Sequence, residues 1–416
     1  MEGKRDKHRR RGRRRYRRGW RFSARTPGGL RANRLAEEVR VKEASGTRVA
    51  DWTVSNPTKV GLAYPDEVIR RALSDESAMR YGPEPLGLEA ARQAVAEHYR
   101  SRPQAEVEAR DVILTSSTSE AYSLVFKLMM NASEEVLVPQ PGYPLIEHLA
   151  RGEGVRGIFY PYGFDGSWTP DVGAVEQSIA RRTRMLAVVH PNNPTGAYLK
   201  EAEWQALREV ALRYRLVTVC DEVFFEFPLQ AENWQDLPEP IFHPLAEREA
   251  PLFLLGGLSK CAGLPQLKLG WIILRGPAEF KHEARRRLEF LCDHYLSVGT
   301  PVQVAAPRLL QSAKEVGDQI RSRVRSNDRL IRKELSDSPA TPLPAEGGWY
   351  AVIRLPSTKS EEEWALELLR RQDVLTHPGY FYDFPSGCQI VVSLLVPESD
   401  TQRGLQGLKE LLKHRA

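Results

Sequence analysis

Two rhythms of apolar and polar positions run along this chain. In 88–99 the apolar residues recur every three or four positions, which predicts an amphipathic helix; 32–44 reads as a shorter helix and 301–335 as a long one. Elsewhere the apolar residues come in short unbroken runs, at 112–114, 136–139, 185–189, 216–220, 252–255 and 271–274. Runs of that length bounded by turn residues predict strands buried on both faces, and their alternation with helical stretches predicts a mainly parallel sheet covered by helices on both sides. A further strand is expected at 49–54, before the turn Ser55-Asn56-Pro57-Thr58. Beyond the long helix the pattern returns to strands at 348–355 and 389–395 with a helix between them. This predicts an arm at 1–21, a large unit at 61–300, and a smaller one built from both chain ends, 22–60 and 301–416.

Composition changes that picture in one place. The 416 residues carry a formal net charge of +6, but residues 1–21 alone hold 12 Lys or Arg against Glu2 and Asp6, so the rest carries −4. An arm with almost no apolar side chains is expected to be a disordered, solvated tail. Contact with nucleic-acid phosphates or a targeting role are the alternatives, but the arm has neither the apolar core of a secretory signal nor the spacing of a transit peptide. No apolar run approaches the roughly 20 residues that cross a bilayer. The cysteines, Cys220, Cys261, Cys292 and Cys388, form no CxxC pair and have no histidine at metal-ligand spacing, so a reducing cytoplasm is expected and no metal site is suggested.

In a parallel α/β sheet ligands collect beyond the carboxyl ends of the strands. The run 112–114 opens into Thr115-Ser116-Ser117-Thr118-Ser119-Glu120, hydroxyls and free N–H groups at a helix start that can cup a phosphate or simply cap the helix. The run 185–189 leads to His190-Pro191-Asn192-Asn193-Pro194-Thr195-Gly196, 216–220 delivers Asp221 and Glu222, and 252–255 opens into Gly256-Gly257-Leu258-Ser259-Lys260. Each has an ordinary structural explanation; the order of all four, with Tyr143 following Pro141-Gly142, does not.

That order, NNPTG, DEVF and GGLSK at separations of 28 and 39 residues, resembles the fold-type I, class I/II pyridoxal-phosphate aminotransferases from about residue 32 onward. The resemblance implies an aspartate-aminotransferase-like α/β fold, with a mainly parallel seven-stranded sheet and a smaller α+β domain. It implies pyridoxal 5′-phosphate held as a Schiff base on Lys260, which then acts as general base and acid. Asp221 would pair with the ring nitrogen, Asn193 would donate to the ring oxygen, Tyr143 would stack on the ring, Ser117, Thr118 and Ser119 would cup the phosphate, and Ser259 would also contact the cofactor. Lys268 stands where the family commonly has a phosphate-binding arginine. Arg80-Tyr81-Gly82-Pro83 is similar to the stretch whose tyrosine reaches the neighbouring subunit's cofactor, which implies a homodimer. Amino acids and 2-keto acids would be the substrates.

Two departures qualify the resemblance. Phe224 replaces a tyrosine whose hydroxyl normally holds the ring oxygen, so the imine on Lys260 is expected to have a raised pKa. Val391 stands where most members carry the arginine that grips the substrate carboxylate. Candidates to replace it are Arg354, Lys59, His377, Tyr380 and Tyr382, with Asn56 beside them. That loss keeps open a lyase, a decarboxylase or an oxidative deaminase on the same fold. A cofactor-binding transcription regulator is a remoter alternative, since the arm lacks the apolar residues of a helix-turn-helix.

Overall fold

The computed structural model describes residues 22–29, 32–100, 102 and 106–413. The expectation of a disordered arm at 1–21 lies outside the described residues.

The strands, in chain order, are β1 (Ala50–Asp51), β2 (Val112–Thr115), β3 (Glu135–Gln140), β4 (Arg156–Phe164), β5 (Trp168–Pro170), β6 (Thr183–Val189) and β7 (Val217–Asp221). They continue with β8 (Leu252–Gly257), β9 (Gly270–Arg275), β10 (Thr341–Pro342), β11 (Tyr350–Arg354), β12 (Val374–Leu375), β13 (His377–Pro378) and β14 (Gln389–Ser393). Eight of them form the central sheet in the order β2-β9-β8-β7-β6-β3-β4-β5. The pairs from β8 through β4 are parallel, β9 runs antiparallel between β8 and β2, and β5 folds back on β4. That is one strand more than the seven expected, because the short β5 hairpin extends the edge.

Alternate side chains of these strands fill two cores. Leu114, Leu186, Val188, Leu254 and Ile273 face one, with helices Glu89–Tyr99, Glu201–Arg213 and Thr300–Glu334 packed over them. Ile113, Met185, Ala187, Phe253 and Ile272 face the other, under Thr118–Met129, Leu145–Gly152 and Ala278–Asp293. Burial on both sides explains why the strands read as continuous apolar runs. Among the described residues no helix is long and apolar enough to cross a membrane.

The helix Thr300–Glu334, 35 residues long, leads to a smaller antiparallel sheet, β10-β11-β14-β13, flanked by helices Glu361–Gln372 and Glu398–Lys413. The strand expected at 49–54 is only two residues long; it pairs in parallel with β12. The next residues are tied to β14 instead, where the Ser393 N–H donates to Trp52 O at 2.8 Å and its hydroxyl to Val54 O at 2.7 Å. Both chain ends thus meet at one end of the large sheet, beside the carboxyl ends of its parallel strands.

Candidate active site

Because β2, β3, β6, β7 and β8 run the same way, the residues that follow them share one sheet edge. A cavity of about 310 Å³ lies there, and Ser117, Thr118, Ser119, Tyr143, Asn193, Asp221, Phe224, Ser259, Lys260 and Lys268 all line it.

Ser117 caps the helix Thr118–Met129, its hydroxyl accepting the Glu120 N–H at 3.2 Å. The first N–H groups of that helix have no acceptor inside it and face the cavity with the positive end of the helix dipole. Gly270 lets this turn sit directly on β9: a Cβ there would lie 2.9 Å from the Ser117 carbonyl carbon.

Asp221 ends β7. One carboxylate oxygen accepts the Val223 N–H at 3.2 Å. Burial pushes its pKa up to about 6, an effect partly offset by that N–H, the Tyr122 hydroxyl and Lys260. One strand over, Lys260 projects from the short turn of helix Leu258–Cys261. Its amine lies 4.7 Å from the centre of the Trp349 ring and 5.2 Å from that of Phe224. Burial lowers its pKa to about 8, with Asp221 acting in the opposite sense.

Asn193 is buried, and its side-chain oxygen has no hydrogen-bond partner among the described residues. Tyr143 is half exposed and follows a Gly142 whose N–H donates to Tyr382 O at 3.0 Å, joining this turn to the smaller sheet. Phe224 meets Trp349 and Tyr350 edge to face, at 5.4 and 6.2 Å between ring centres. Lys268 sits at the rim with φ of 54°, a left-handed backbone unusual for a lysine.

The other expected residues lie elsewhere. Tyr81 is 81% exposed and borders a separate cleft with Tyr295 and Gln303. The Asn56 side chain is occupied in capping the turn Pro57–Lys59, accepting from the Thr58 N–H and hydroxyl, and Lys59 is exposed. Arg354 lies over the Phe164 ring at 5.2 Å. His377 Nδ1 is 3.0 Å from the Tyr382 hydroxyl, and Tyr380 is exposed. None of these six substrate candidates, Asn56, Lys59, Arg354, His377, Tyr380 and Tyr382, lines the cavity. Ser55, Tyr122 and Tyr350, which the sequence reading passed over, do. The signal for Tyr122 was faint: a polar-tipped side chain on a helix face otherwise filled by Ala121, Leu124 and Val125.

A parallel α/β sheet that gathers a buried lysine, a carboxylate and a hydroxyl-rich helix start at one edge defines a lysine-centred enzyme with an anion cup. A family model described as aminotransferase class I and II matches residues 47–406, and the chain belongs to that family. Mouse tyrosine aminotransferase is 28% identical over 377 residues, covering 88% of this chain and 81% of its own length. Glutamate-pyruvate aminotransferase AlaA of Haemophilus influenzae is 26% identical over 363 residues, covering 84% of this chain and 87% of its own. Among solved structures, alanine aminotransferase from Pyrococcus furiosus superposes with a TM-score of 0.82 at 22% identity, over 92% of this chain and 100% of that one. A mutant aspartate aminotransferase from Thermus thermophilus gives 0.82 at 20% identity, over 95% and 100%. The chain is an aminotransferase acting between amino acids and keto acids, and its family depends on pyridoxal 5′-phosphate.

Proposed function

We propose that this aminotransferase holds pyridoxal 5′-phosphate in the cavity through Lys260 and transfers the amino group in two half-reactions, a ping-pong sequence. The observation that carries the reading is the Lys260 amine, lowered to about 8, on the same wall as the Asp221 carboxylate. The wall also fits the cofactor's polar atoms, since the Asn193 side chain is buried there with its oxygen unpartnered among the described residues.

When bound, the cofactor supplies an electrophilic carbonyl and a ring that accepts the electron pair left as the substrate's Cα–H bond breaks. The protein's residues do the rest. An amine with a pKa near 8 is partly unprotonated at neutral pH, so Lys260 would hold the cofactor through its carbonyl carbon and would serve as the base that takes the substrate's Cα proton and returns it. Asp221, ionised above about pH 6, gives a protonated ring nitrogen its counter-charge. Ser117, Thr118 and Ser119 offer N–H and hydroxyl donors to a phosphate, Ser259 adds a hydroxyl, and Lys268 adds a positive charge. Tyr143 presents a ring face, while Phe224 packs without donating.

The register of the smaller sheet bears on how the substrate carboxylate is held. Tyr350, Val352 and Arg354 share one face of β11, and Val391 pairs with both Val352 and His377. The face that brings Tyr350 to the cavity therefore carries Val391, with Arg354 and His377 on either side of it. These two are our candidates for the carboxylate, ahead of Lys59, Asn56 and Tyr380. The same arrangement supports a smaller domain built from 22–60 and 301–416 beside the large one at 61–300. A homodimer with Tyr81 entering the second copy's site is supported by the exposed Met79, Tyr81, Phe290 and Tyr295. A cytoplasmic location is supported by the four cysteines, all buried and unpaired.

Borohydride reduction followed by peptide mapping tests the reading. A label on Lys260 is expected; a label on another lysine, or none, overturns it. Amino donor alone is expected to yield one equivalent of keto acid per site and stop, whereas sustained release without an acceptor identifies a lyase.

A further inference from the structure

Tyr122 is idle in the account above, although its hydroxyl stands in the wall of the cavity. It occupies the second turn of helix Thr118–Met129, is 3% exposed, and packs near Phe126 at 6.0 Å between ring centres. The hydroxyl is buried and, among the described residues, meets no partner at hydrogen-bond geometry. Other fully buried tyrosines are satisfied: Tyr160 donates to Ala187 O at 2.9 Å and Tyr198 to Phe225 O at 2.6 Å. A leucine or phenylalanine would fill the same helix position without burying an orphan donor, so the hydroxyl calls for a use.

Its neighbour is Asp221. Both line the same cavity; burial first and the carboxylate second push the Tyr122 phenol well up, and the hydroxyl in turn pulls the Asp221 carboxyl down against its own burial. Val223 occupies only one of the Asp221 oxygens, which leaves the second with lone pairs to spare.

We propose that Tyr122 is a positioning residue: with cofactor bound, its hydroxyl donates to the Asp221 oxygen that Val223 leaves free and fixes the carboxylate's rotation toward the ring nitrogen. The inference rests on the cofactor reading of the cavity. Two fixed hydrogen bonds leave a carboxylate little freedom to turn, so the contact with the ring nitrogen is pre-organised. The chemistry passes through Asp221 alone, and Tyr122 touches neither cofactor nor substrate.

The test compares two cofactors on full-length protein stripped of cofactor and reloaded: pyridoxal 5′-phosphate and its 1-deaza analogue, in which carbon replaces the ring nitrogen. Affinity is read from quenching of tryptophan fluorescence. Tyr122→Phe is expected to weaken the natural cofactor about tenfold or more, the usual scale for a hydrogen bond to a charged group. It is expected to change the analogue's affinity less than about twofold, because nothing there engages Asp221. Equal losses for both would mean that Tyr122 only packs, and no loss for either would mean that the hydroxyl is unused; both overturn the inference. The unloaded variant is expected to be at least as stable as wild type, and clear destabilisation would show the hydroxyl already partnered, which also overturns it. Wild-type protein that binds both cofactors equally tightly would sink the placement of Asp221 on the ring nitrogen itself, a different failure.

Discussion

Replacing Asp221 with asparagine should make the cofactor-free protein more stable at neutral pH while crippling the enzyme. Burial raises the Asp221 pKa from 3.8 to about 6. A shift of that size corresponds to about 3 kcal/mol of penalty on the charged form. The carboxylate borders a cavity that water can enter, so about 1–2 kcal/mol is the working expectation. The sign follows from linkage. Below about pH 4 the carboxyl is protonated whether folded or unfolded and the penalty is absent; it grows between about pH 4 and 6 and is complete above that. Lys260 titrates near 8, outside this window. Asparagine keeps the acceptor for the Val223 N–H at every pH. Urea unfolding of the two stripped proteins at intervals from pH 4 to 7 should therefore show the variant gaining on wild type through pH 6 and then holding its lead. In the loaded enzyme, loss of one member of a buried charge pair costs about 3–5 kcal/mol, so transamination should fall by roughly 10² to nearly 10⁴-fold. A stability difference that stays flat across the range, or one that moves toward wild type as pH rises, would refute the argument that burial sets this carboxyl's pKa.

Further outcomes follow from the same geometry. Phe224→Tyr restores a hydroxyl to the wall beside Lys260, and a pH titration of the visible absorbance band should show its pKa falling by about one unit; an unchanged or raised value contradicts the role given to Phe224. Lys268→Gly removes the charge while relieving the left-handed backbone, so cofactor affinity should drop about tenfold with no loss of thermal stability, measured by fluorescence and by melting. Arg102 donates to both oxygens of the buried Glu222 at 2.9 Å and lies 4.5 Å from the ring centres of Tyr99 and Phe225. Arg102→Ala should cost about 3–5 kcal/mol in urea unfolding, and adding Glu222→Gln should recover part of it; additive losses would argue against a coupled pair.

The central sheet was legible because its strands are buried on both faces. The runs at 112–114, 185–189 and 252–255 became β2, β6 and β8 with shifts of a residue or two at the ends. β4 was missed because Gly157, Pro161 and Gly163 interrupt it and several of its side chains are only partly covered. The cavity residues that directly follow parallel strands could be found from the pattern, since strand direction alone brings Ser117, Asn193, Asp221 and Lys260 to one edge. Ser55 and Tyr350 could not. Their place in the wall depends on how the two chain ends pack against the large sheet, and a serine in a turn or a tyrosine in a strand carries no local mark of that. Tyr122 was hidden for a different reason: its helical spacing matches its apolar neighbours, and its difference lies in a single oxygen atom.

The cavity wall runs from Ser55 to Tyr350, and its last strand, β11, emerges late. A nascent chain leaving the ribosome exposes the helix cap at Ser117 and then Lys260 long before Tyr350 is made. At about 5–20 residues per second, the interval from Lys260 to Tyr350 lasts from several seconds to nearly twenty. Throughout it the reactive amine stands in an unfinished crevice, without its Trp349 cover. Loading this enzyme is thus a task for the finished polypeptide, and a premature stop before β11 leaves a protein with its lysine in place and nothing to shelter it.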